Sequence, residues 1–353
     1  MNVATHLFSS SLLANTVRIQ SATYSFSNGI LTVSGDGTIQ RSEVEQYSTQ
    51  ANEIRITESV ETIGSKAFEN FNLLTKVQID STLKTIESFA FNGDTAITSI
   101  TLPSGLLTLG DSCFQDCSGI TTISLPESLT AIGQAAFSGA YSLTEITIPQ
   151  TVTRIEKDTF NSCTGLTRVT FSVETTFIGE SAFANCDVLV LVDLPLIVTE
   201  LGANCFSHCV SFTRFDLPPE LITLPERCFS GCTLLETINF NDKIQNINKY
   251  CFESCNSLVI SKLPSTVTNI QEGVFYNCQK ITTFNMTGLR YVSPRLFANC
   301  NKLESITLDG SLTSIQESAF ENCTSLVISS LPSIVSNIFQ RVFYGCLLIE
   351  TFT

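Results

Sequence analysis

A phenylalanine marks each turn of a hydrophobic pattern that runs from about residue 54 to residue 353. Each follows the previous one by 23 residues, except for one step of 22, from Phe275 to Phe297. An aliphatic residue stands five positions before each phenylalanine, and an apolar residue stands six positions after it. A fixed period in the twenties is typical of a solenoid, in which each repeat is one coil that buries its apolar side against its neighbours. The repeat phenylalanines are Phe68, Phe91, Phe114, Phe137, Phe160, Phe183, Phe206, Phe229, Phe252, Phe275, Phe297, Phe320 and Phe343.

The residues between the phenylalanines predict the shape of the coil. Positions are counted here from the repeat phenylalanine, so that +6 is the sixth residue after it. From +6 onward apolar and polar residues alternate, as in Leu143 to Pro149, which is the period of a half-buried strand. Position +2 holds Asn, Gly, Ser, Asp or His, which favour sharp turns and tolerate positive φ. We therefore predict about thirteen β-rich coils, each with one strand, a turn, a second short strand and a tight turn around the phenylalanine.

The repeat pattern resembles one known class of leucine-rich repeats. Residues 120–140 match most of the pattern Leu-x-x-Ile-x-Leu-Pro-x-x-Leu-x-x-Ile-Gly-x-x-Ala-Phe-x-x-Cys. This pattern is similar to that of the BspA-like family, and the resemblance covers about 85 per cent of the chain. It implies a right-handed curved solenoid. It also implies a role in adhesion or recognition, since the family consists largely of surface proteins of bacteria and parasitic protists.

Residues 1–53 lie outside the repeat, and residues 54–353 form the predicted solenoid domain. Terminal repeats are commonly atypical because they cap the core. Asn28-Gly29 separates two short alternating segments and favours a type I′ hairpin, so we predict a β cap over residues 22–40. No Lys or Arg precedes the weakly apolar stretch from His6 to Val17, which does not support a signal peptide and leaves the route of export open.

Composition narrows the choice of partner. The formal net charge is −14 and the pI is about 4.6, which disfavours nucleic acid and anionic membrane surfaces, because both attract clustered Lys and Arg. No apolar run approaches the ~18 residues that a membrane helix needs, so direct membrane insertion is not expected.

The fourteen cysteines follow the repeat. Ten stand at +3 and four stand directly before the phenylalanine. One cysteine per coil produces a row, whereas zinc needs ligands that converge on one point. Neighbouring strands would allow disulfides, but Phe71 and Ala140 occupy the same +3 position in other coils. The pattern favours buried free thiols over disulfides, and metal ligation least, so we expect no cofactor. The cysteines are Cys113, Cys117, Cys163, Cys186, Cys205, Cys209, Cys228, Cys232, Cys251, Cys255, Cys278, Cys300, Cys323 and Cys346.

Only one local cluster imitates a catalytic or metal site, namely Cys205, His208 and Cys209. His208 stands at the +2 turn position, which indicates an exposed turn residue. The only other histidine is His6, and neither lies in a recognisable nucleophile motif. We therefore expect no enzymatic activity, and an enzyme that uses this cluster is the least favoured alternative.

Positions +8 and +10 should point outward and form one continuous face. Most of this face carries Thr and Ser, but its centre differs over four consecutive coils. Two interpretations stay open: an internal ladder in which Arg and Asp neutralise each other, or an interface that combines Arg with aliphatic groups. The residues of this central patch are Arg168, Leu191, Asp193, Arg214, Asp216 and Asn239.

Two coils depart from the alternation in the same way. Leu258 to Ser261 and Leu326 to Ser329 place Ile260 and Ile328 at the outward +8 position and Ser at an inward one. Either a local bulge restores the phase, or these isoleucines are exposed apolar sites for a partner.

Together these patterns predict a non-catalytic recognition protein that binds a macromolecule through the exposed strand face. The resemblance implies surface adhesion to a protein, an extracellular-matrix component or a host surface, and a cell-surface or secreted location. The alternative is a cytoplasmic interaction scaffold, which free cysteines would favour. The last strand, from Leu348 to Thr353, presents an uncapped coil, so we expect either a longer array or a homodimer through this C-terminal coil.

Overall fold

The structure is a computed structural model that describes residues 22–190 and 192–349, and a small cap precedes its repeats. Strands β1 (Thr23–Ser27) and β2 (Ile30–Ser34) pair antiparallel around Asn28 and Gly29. These two residues have φ angles of 51° and 79°, the positive values that a type I′ turn requires. The predicted hairpin is therefore present. Strand β3 (Gly37–Ile39), helix α1 (Arg41–Val44) and a 3₁₀ turn (Glu45–Tyr47) complete the cap.

The rest of the described chain is a β-solenoid of about thirteen turns, built mostly of parallel sheets, as predicted. The solenoid begins with strand β4 (Glu53–Glu58). In most of the coils that follow, a first strand covers at least positions +8 to +10, and its residue at +9 points into the core. β2 of the cap pairs in parallel with β4, so hydrogen bonds cross the predicted boundary at residue 53 and the domain division stays a prediction. The first strands are β4 (Glu53–Glu58), β6 (Lys76–Ser81), β8 (Ser99–Thr101), β10 (Thr122–Ser124), β12 (Glu145–Thr147), β14 (Arg168–Thr170), β17 (Arg214–Asp216), β19 (Thr237–Asn239), β22 (Thr283–Asn285) and β24 (Ser305–Thr307).

The second strand of each coil is shorter and begins after a turn that usually contains proline. It places an aliphatic residue five positions before the next repeat phenylalanine, and this residue is buried in every coil except the last, where Ile338 is exposed. The second strands are β5 (Val60–Ile63), β7 (Thr85–Ile86), β9 (Thr108–Leu109), β11 (Ala131–Ile132), β13 (Arg154–Ile155), β15 (Phe177–Ile178), β16 (Glu200–Leu201), β18 (Thr223–Leu224), β20 (Asn246–Ile247), β21 (Asn269–Ile270), β23 (Tyr291–Val292), β25 (Ser314–Ile315) and β26 (Asn337–Ile338).

The repeat phenylalanines form one continuous column through the solenoid. Successive rings lie 5.3–6.0 Å apart between centroids, with interplanar angles from 0° to 22°. Twelve of the thirteen rings are fully buried or nearly so, and Phe343 in the last coil is half-buried. Each buried ring packs against the rings of the adjacent coils, an apolar burial that a coil can obtain only from its neighbours.

Two left-handed residues shape each phenylalanine turn. Position +2 has positive φ, as at Asn185 (60°) and His208 (58°), which confirms the prediction. The residue two before each phenylalanine also has positive φ, which the sequence pattern did not suggest because bulky residues such as Arg227 and Tyr250 occupy it. In this geometry the N–H groups of Lys66, Phe68 and Asn70 donate to carbonyls of the next coil. The turn thus forms a third ladder that leaves its buried amides paired.

The cysteines lie inside this turn. Thirteen of the fourteen are buried, as predicted, and Cys346 in the last coil is half-buried. Each thiol at +3 lies within hydrogen-bonding distance of the carbonyl of the repeat phenylalanine one coil earlier, for example Cys163 to Phe137 at 3.2 Å. A thiol is small, apolar and a weak donor, which suits a crowded position beside a buried carbonyl.

Candidate functional site

The outward side of the first strands forms one continuous strand face. The strands are in register from coil to coil, with Arg214 beside Thr237 and Asp216 beside Asn239. Residues at +8 and +10 are exposed and the residue between them is buried, for example in Arg168–Thr170 and Arg214–Asp216. The predicted outward face is therefore where the sequence placed it.

The ladder of this face is interrupted in three coils, which are spaced three coils apart. Residues 192–194, 258–261 and 326–331 form no strand, although the coils on either side of the first two segments do. Each segment is preceded by or contains an exposed valine at +7: Val190, Val259 and Val327 are 56%, 66% and 56% exposed. The +7 position elsewhere is often Thr, as in Thr167, whose hydroxyl donates to the Thr144 carbonyl at 2.9 Å. Valine cannot make this bond and leaves an apolar surface.

The two isoleucines singled out by the sequence are not exposed. Ile260 and Ile328 are half-buried and pack against the core, while the valines before them point outward. Ser261 is exposed, and Lys262 returns to register by pairing with Asn285. The alternation of inward and outward residues therefore shifts locally, and it recovers at Lys262. The interpretation of Ile260 and Ile328 as outward apolar sites is wrong. The reason is that burying an isoleucine in place of a serine is more favourable than keeping the strand regular.

The central patch divides into two halves with different chemistry. In one half, Arg214 donates from Nε and Nη2 to Asp216 Oδ1 at 3.1 and 3.0 Å, and Asn239 Nδ2 donates to the same oxygen. Hydrogen bonds from Asn239 and then from Arg214 hold the pKa of Asp216 below its usual value. This half is an internal charge network, in agreement with the first of the two interpretations.

In the other half the charges have no such partner. Arg168 lies beside Glu145 in the ladder, but neither Arg168 nor Asp193 forms an ion pair with any described residue. Both line an open groove of about 510 Å³ on the strand face. We call it the central groove, and it is lined by Thr167, Arg168, Val169, Thr170, Phe171, Val190 and Asp193. Leu191 lies outside the described residues.

Apolar residues in the adjoining turn extend this surface. Val173 and Leu196 occupy the same position, +13, in successive coils and are 68% and 73% exposed. Neighbouring coils carry Gln150 and Pro219 there. Aliphatic residues on two adjacent exposed turns are uncommon on a monomer surface and are typical of an interaction site. The strand alternation gave no indication of these residues, since they lie in the turn after the strand.

The cysteine–histidine cluster separates in three dimensions. Cys205 and Cys209 are buried, whereas His208 is exposed, and its Nδ1 lies 2.9 Å from the hydroxyl oxygen of Ser207. The Cys209 thiol donates to the Phe183 carbonyl at 3.1 Å. Burial raises the pKa of Cys209, which opposes the thiolate form that nucleophilic or metal-binding cysteines use. Among the described residues no group of three or more His, Cys, Asp or Glu is arranged to hold a metal ion.

A buried carboxyl group lies near the N-terminal end of the column of +3 residues. Asp94 stands at +3, where most coils have Cys, and it is fully buried. Its Oδ1 accepts the Phe71 N–H at 2.6 Å, while Oδ2 has no hydrogen-bond partner among the described residues. Burial raises the pKa of Asp94 to about 9, so the group is a neutral acid at pH 7. The departure of this one position from the apolar +3 pattern was visible in the sequence and was overlooked.

No helix in the described part of the chain is long and apolar enough to cross a membrane.

Comparisons with known proteins agree with this architecture. A model of the BspA type leucine rich repeat region, in six copies, matches residues 39–167, 155–282 and 245–353. A solved leucine-rich repeat protein from Bacteroides ovatus is 25% identical with a TM-score of 0.64, over 94% of this chain and 92% of that one. A leucine rich cell surface protein from Faecalibacterium prausnitzii, 23% identical over the same shares with a TM-score of 0.53, has a similar fold. A search of curated proteins finds no match.

Proposed function

Because this chain belongs to the BspA-type leucine-rich repeat family, we propose that it is a non-catalytic recognition protein that binds another protein through its strand face. Its repeats make it an interaction protein. The nature of the partner and a role in adhesion are parts of this proposal.

The central groove carries this proposal. It combines an exposed cation without an ion pair, Arg168, with the exposed aliphatic side chain of Val190 and the carboxylate of Asp193. Arginine next to aliphatic surface is typical of the residues that anchor protein interfaces. In a chain with a net charge of −14, an arginine left without an internal partner is available to an acidic group of another protein.

The absence of enzymatic activity is supported by the state of the nucleophiles. Burial raises the pKa of the Cys163 thiol to about 12, and burial also raises the pKa of the Cys209 thiol. A thiol that stays protonated at neutral pH is a poor nucleophile. The exposed His208 contacts only a serine hydroxyl among the described side chains.

For the location we propose the cell surface or the extracellular space, where the ligand is a host-surface or extracellular-matrix protein. The support is family membership. A cytoplasmic scaffold with the same strand face is the alternative, and buried thiols are compatible with it. Surface biotinylation of intact cells separates the two: labelling supports surface display, and labelling only after lysis supports the scaffold.

The strand face is tested with two arginines at the same +8 position. Arg168→Ala removes the unpaired cation, whereas Arg214→Ala removes one that is already bound to Asp216. Against an array of immobilised extracellular-matrix proteins, we expect Arg168→Ala to weaken binding at least about fivefold, the loss of a typical interface anchor. Arg214→Ala should change it less, and both variants should melt like the parent. Equal losses, or no binding to any member of the array, would contradict the proposal.

A second copy of the chain is a further proposed partner, through the C-terminal coil. Leu347 is 75% exposed, and Ile338 is 50% exposed although Ile315, at the same position of the preceding coil, is fully buried. An isologous dimer would cover this apolar surface. Light scattering across a dilution series should show a dimer that dissociates in Leu347→Glu. A monomer at every concentration would refute this contact.

A further inference from the structure

The one coil of 22 residues borders a small pocket. Its first strand, β22, ends at +10 as elsewhere, but its second strand, β23, begins at +16 instead of +17. The missing residue therefore belongs to the turn between Asn285 and Tyr291.

The shorter turn closes one residue earlier than its neighbours do. The Leu289 N–H donates to the Met286 carbonyl at 3.1 Å, whereas in the preceding coil Val267 donates to Pro264 at the same distance. Met286 stands at +11 and Pro264 at +12. Gly288 makes the tighter path possible, with a φ of 90° and open space where a Cβ would lie.

The coil with the shorter turn does not fully cover the preceding coil, which contains Val267. Val267 is 7% exposed, while Ile244 and Leu312 at the same position are 0% and 1% exposed. Leu289, which takes this position in the short coil, is only half-buried. The result is a pocket of about 240 Å³, which we call the corner pocket.

The corner pocket has an apolar floor and a cationic rim. Val267, Ile270, Leu289 and Leu296 supply aliphatic surface, and Arg290 and Tyr291 are exposed beside it. The Arg290 guanidinium forms no ion pair or hydrogen bond with any described side chain, and only its backbone carbonyl is engaged, by Thr313. The nearby Asp309 carboxylate accepts hydrogen bonds from the backbone N–H groups of Ser311 and Gly288, and it forms no ion pair with Arg290.

Size and charge together restrict the ligand. The volume lies below the ~300–1,000 Å³ of sites that enclose cofactors or drug-sized molecules. It suits a single side chain of a partner, and a buried anchor in a small apolar pocket is how interface hot spots are built. The unpaired guanidinium favours a carboxylate next to that anchor.

We propose that the corner pocket is a second recognition site, which takes one aliphatic side chain of an acidic peptide segment while Arg290 binds the carboxylate of the adjacent residue. It is separate from the strand face, since it lies at the turn into the second strands and shares no residue with the central groove.

Two matched peptides test the proposal by saturation-transfer NMR. N-acetyl-Leu-Glu-amide and N-acetyl-Leu-Gln-amide differ only in charge, and we expect the Glu peptide to bind more tightly by about fivefold. Arg290→Gln should remove that preference. Lys302→Gln, which removes another exposed cation, should preserve it.

The pocket itself is tested by repairing the repeat. Inserting one serine between Thr287 and Gly288 restores the 23-residue step and should abolish binding of both peptides. Circular dichroism checks that this variant is folded, and if it is not, the Arg290→Gln comparison decides alone. Absence of saturation transfer from both peptides, equal binding of the two, or unchanged binding to the folded insertion variant would each overturn the proposal. Arg168→Ala should leave peptide binding intact, so failure of this site is distinguishable from failure of the strand face.

Discussion

Replacing Phe160 by alanine is the most direct test of the packing. Phe160 is fully buried between Phe137 and Phe183, whose ring centroids lie 5.6 and 5.3 Å away. The change removes one ring from the middle of the column and two stacking contacts with it.

The structure gives the neighbours little freedom to fill the cavity. The Phe160 N–H donates to the Ala182 carbonyl, and strands on two sides of the same coil hold the spacing to the next coil. A buried Phe→Ala change costs about 3–5 kcal/mol, with the larger values where the site cannot collapse, so we expect about 4–5 kcal/mol here. In a stack stabilised by nearest neighbours, a loss of this size also weakens the coupling between the two ends.

Urea denaturation followed by far-UV circular dichroism measures both effects. We expect a lower midpoint and a shallower or two-step transition for Phe160→Ala. Phe343→Ala is the matched control, since this ring occupies the same position but is half-buried, and it should lose less stability. Thr147→Ala, on the exposed side of β12, should stay within about 0.5 kcal/mol of the parent. A Thr147→Ala loss close to that of Phe160→Ala would show that the inward and outward faces are exchanged, and equal losses at Phe160 and Phe343 would refute the role of burial.

Two predictions concern the column of residues at +3. Cys346 should react first with iodoacetamide, because it is only half-buried, although burial raises its pKa to about 11. The other thirteen thiols should react only on unfolding. Early modification of Cys163 in mass spectra of the native protein would contradict this. Asp94 has a folded pKa of about 9 against about 3.9 when unfolded. Between these values the folded state holds a proton that the unfolded state releases, so its contribution to stability falls as pH rises through this window and levels off above about 9. Asp94→Asn should remove that slope from urea midpoints measured at pH 5 to 9, while an unchanged slope would exclude Asp94 as its source.

Much of the strand face could be predicted because alternation along a strand needs only local information. The exposure of Arg168, Arg214, Asp216 and Asn239 follows from their +8 and +10 positions and is confirmed. Whether each of these charges is neutralised was left open. Arg214 folds back on Asp216, two residues away, whereas Arg168 has Thr170 in the equivalent position. That difference was visible in the sequence, but the central groove beside Arg168 also depends on the interrupted coil that carries Val190.

The solenoid, the column of phenylalanines, the inward and outward sides of the strands and the hairpin at Asn28-Gly29 follow from the amino-acid sequence alone. Each of these is a local pattern, and in the repeats it recurs so often that the packing of one coil predicts that of the next. The consequences of imperfections in the repeat became visible only in three dimensions. They are the shift that half-buries Ile260, the unpaired state of Arg168, the burial of Asp94 and the corner pocket beside Val267. The physical reason is that these outcomes depend on contacts between residues about 23 positions apart on adjacent coils, where one short turn or one valine changes what the neighbouring coil can cover.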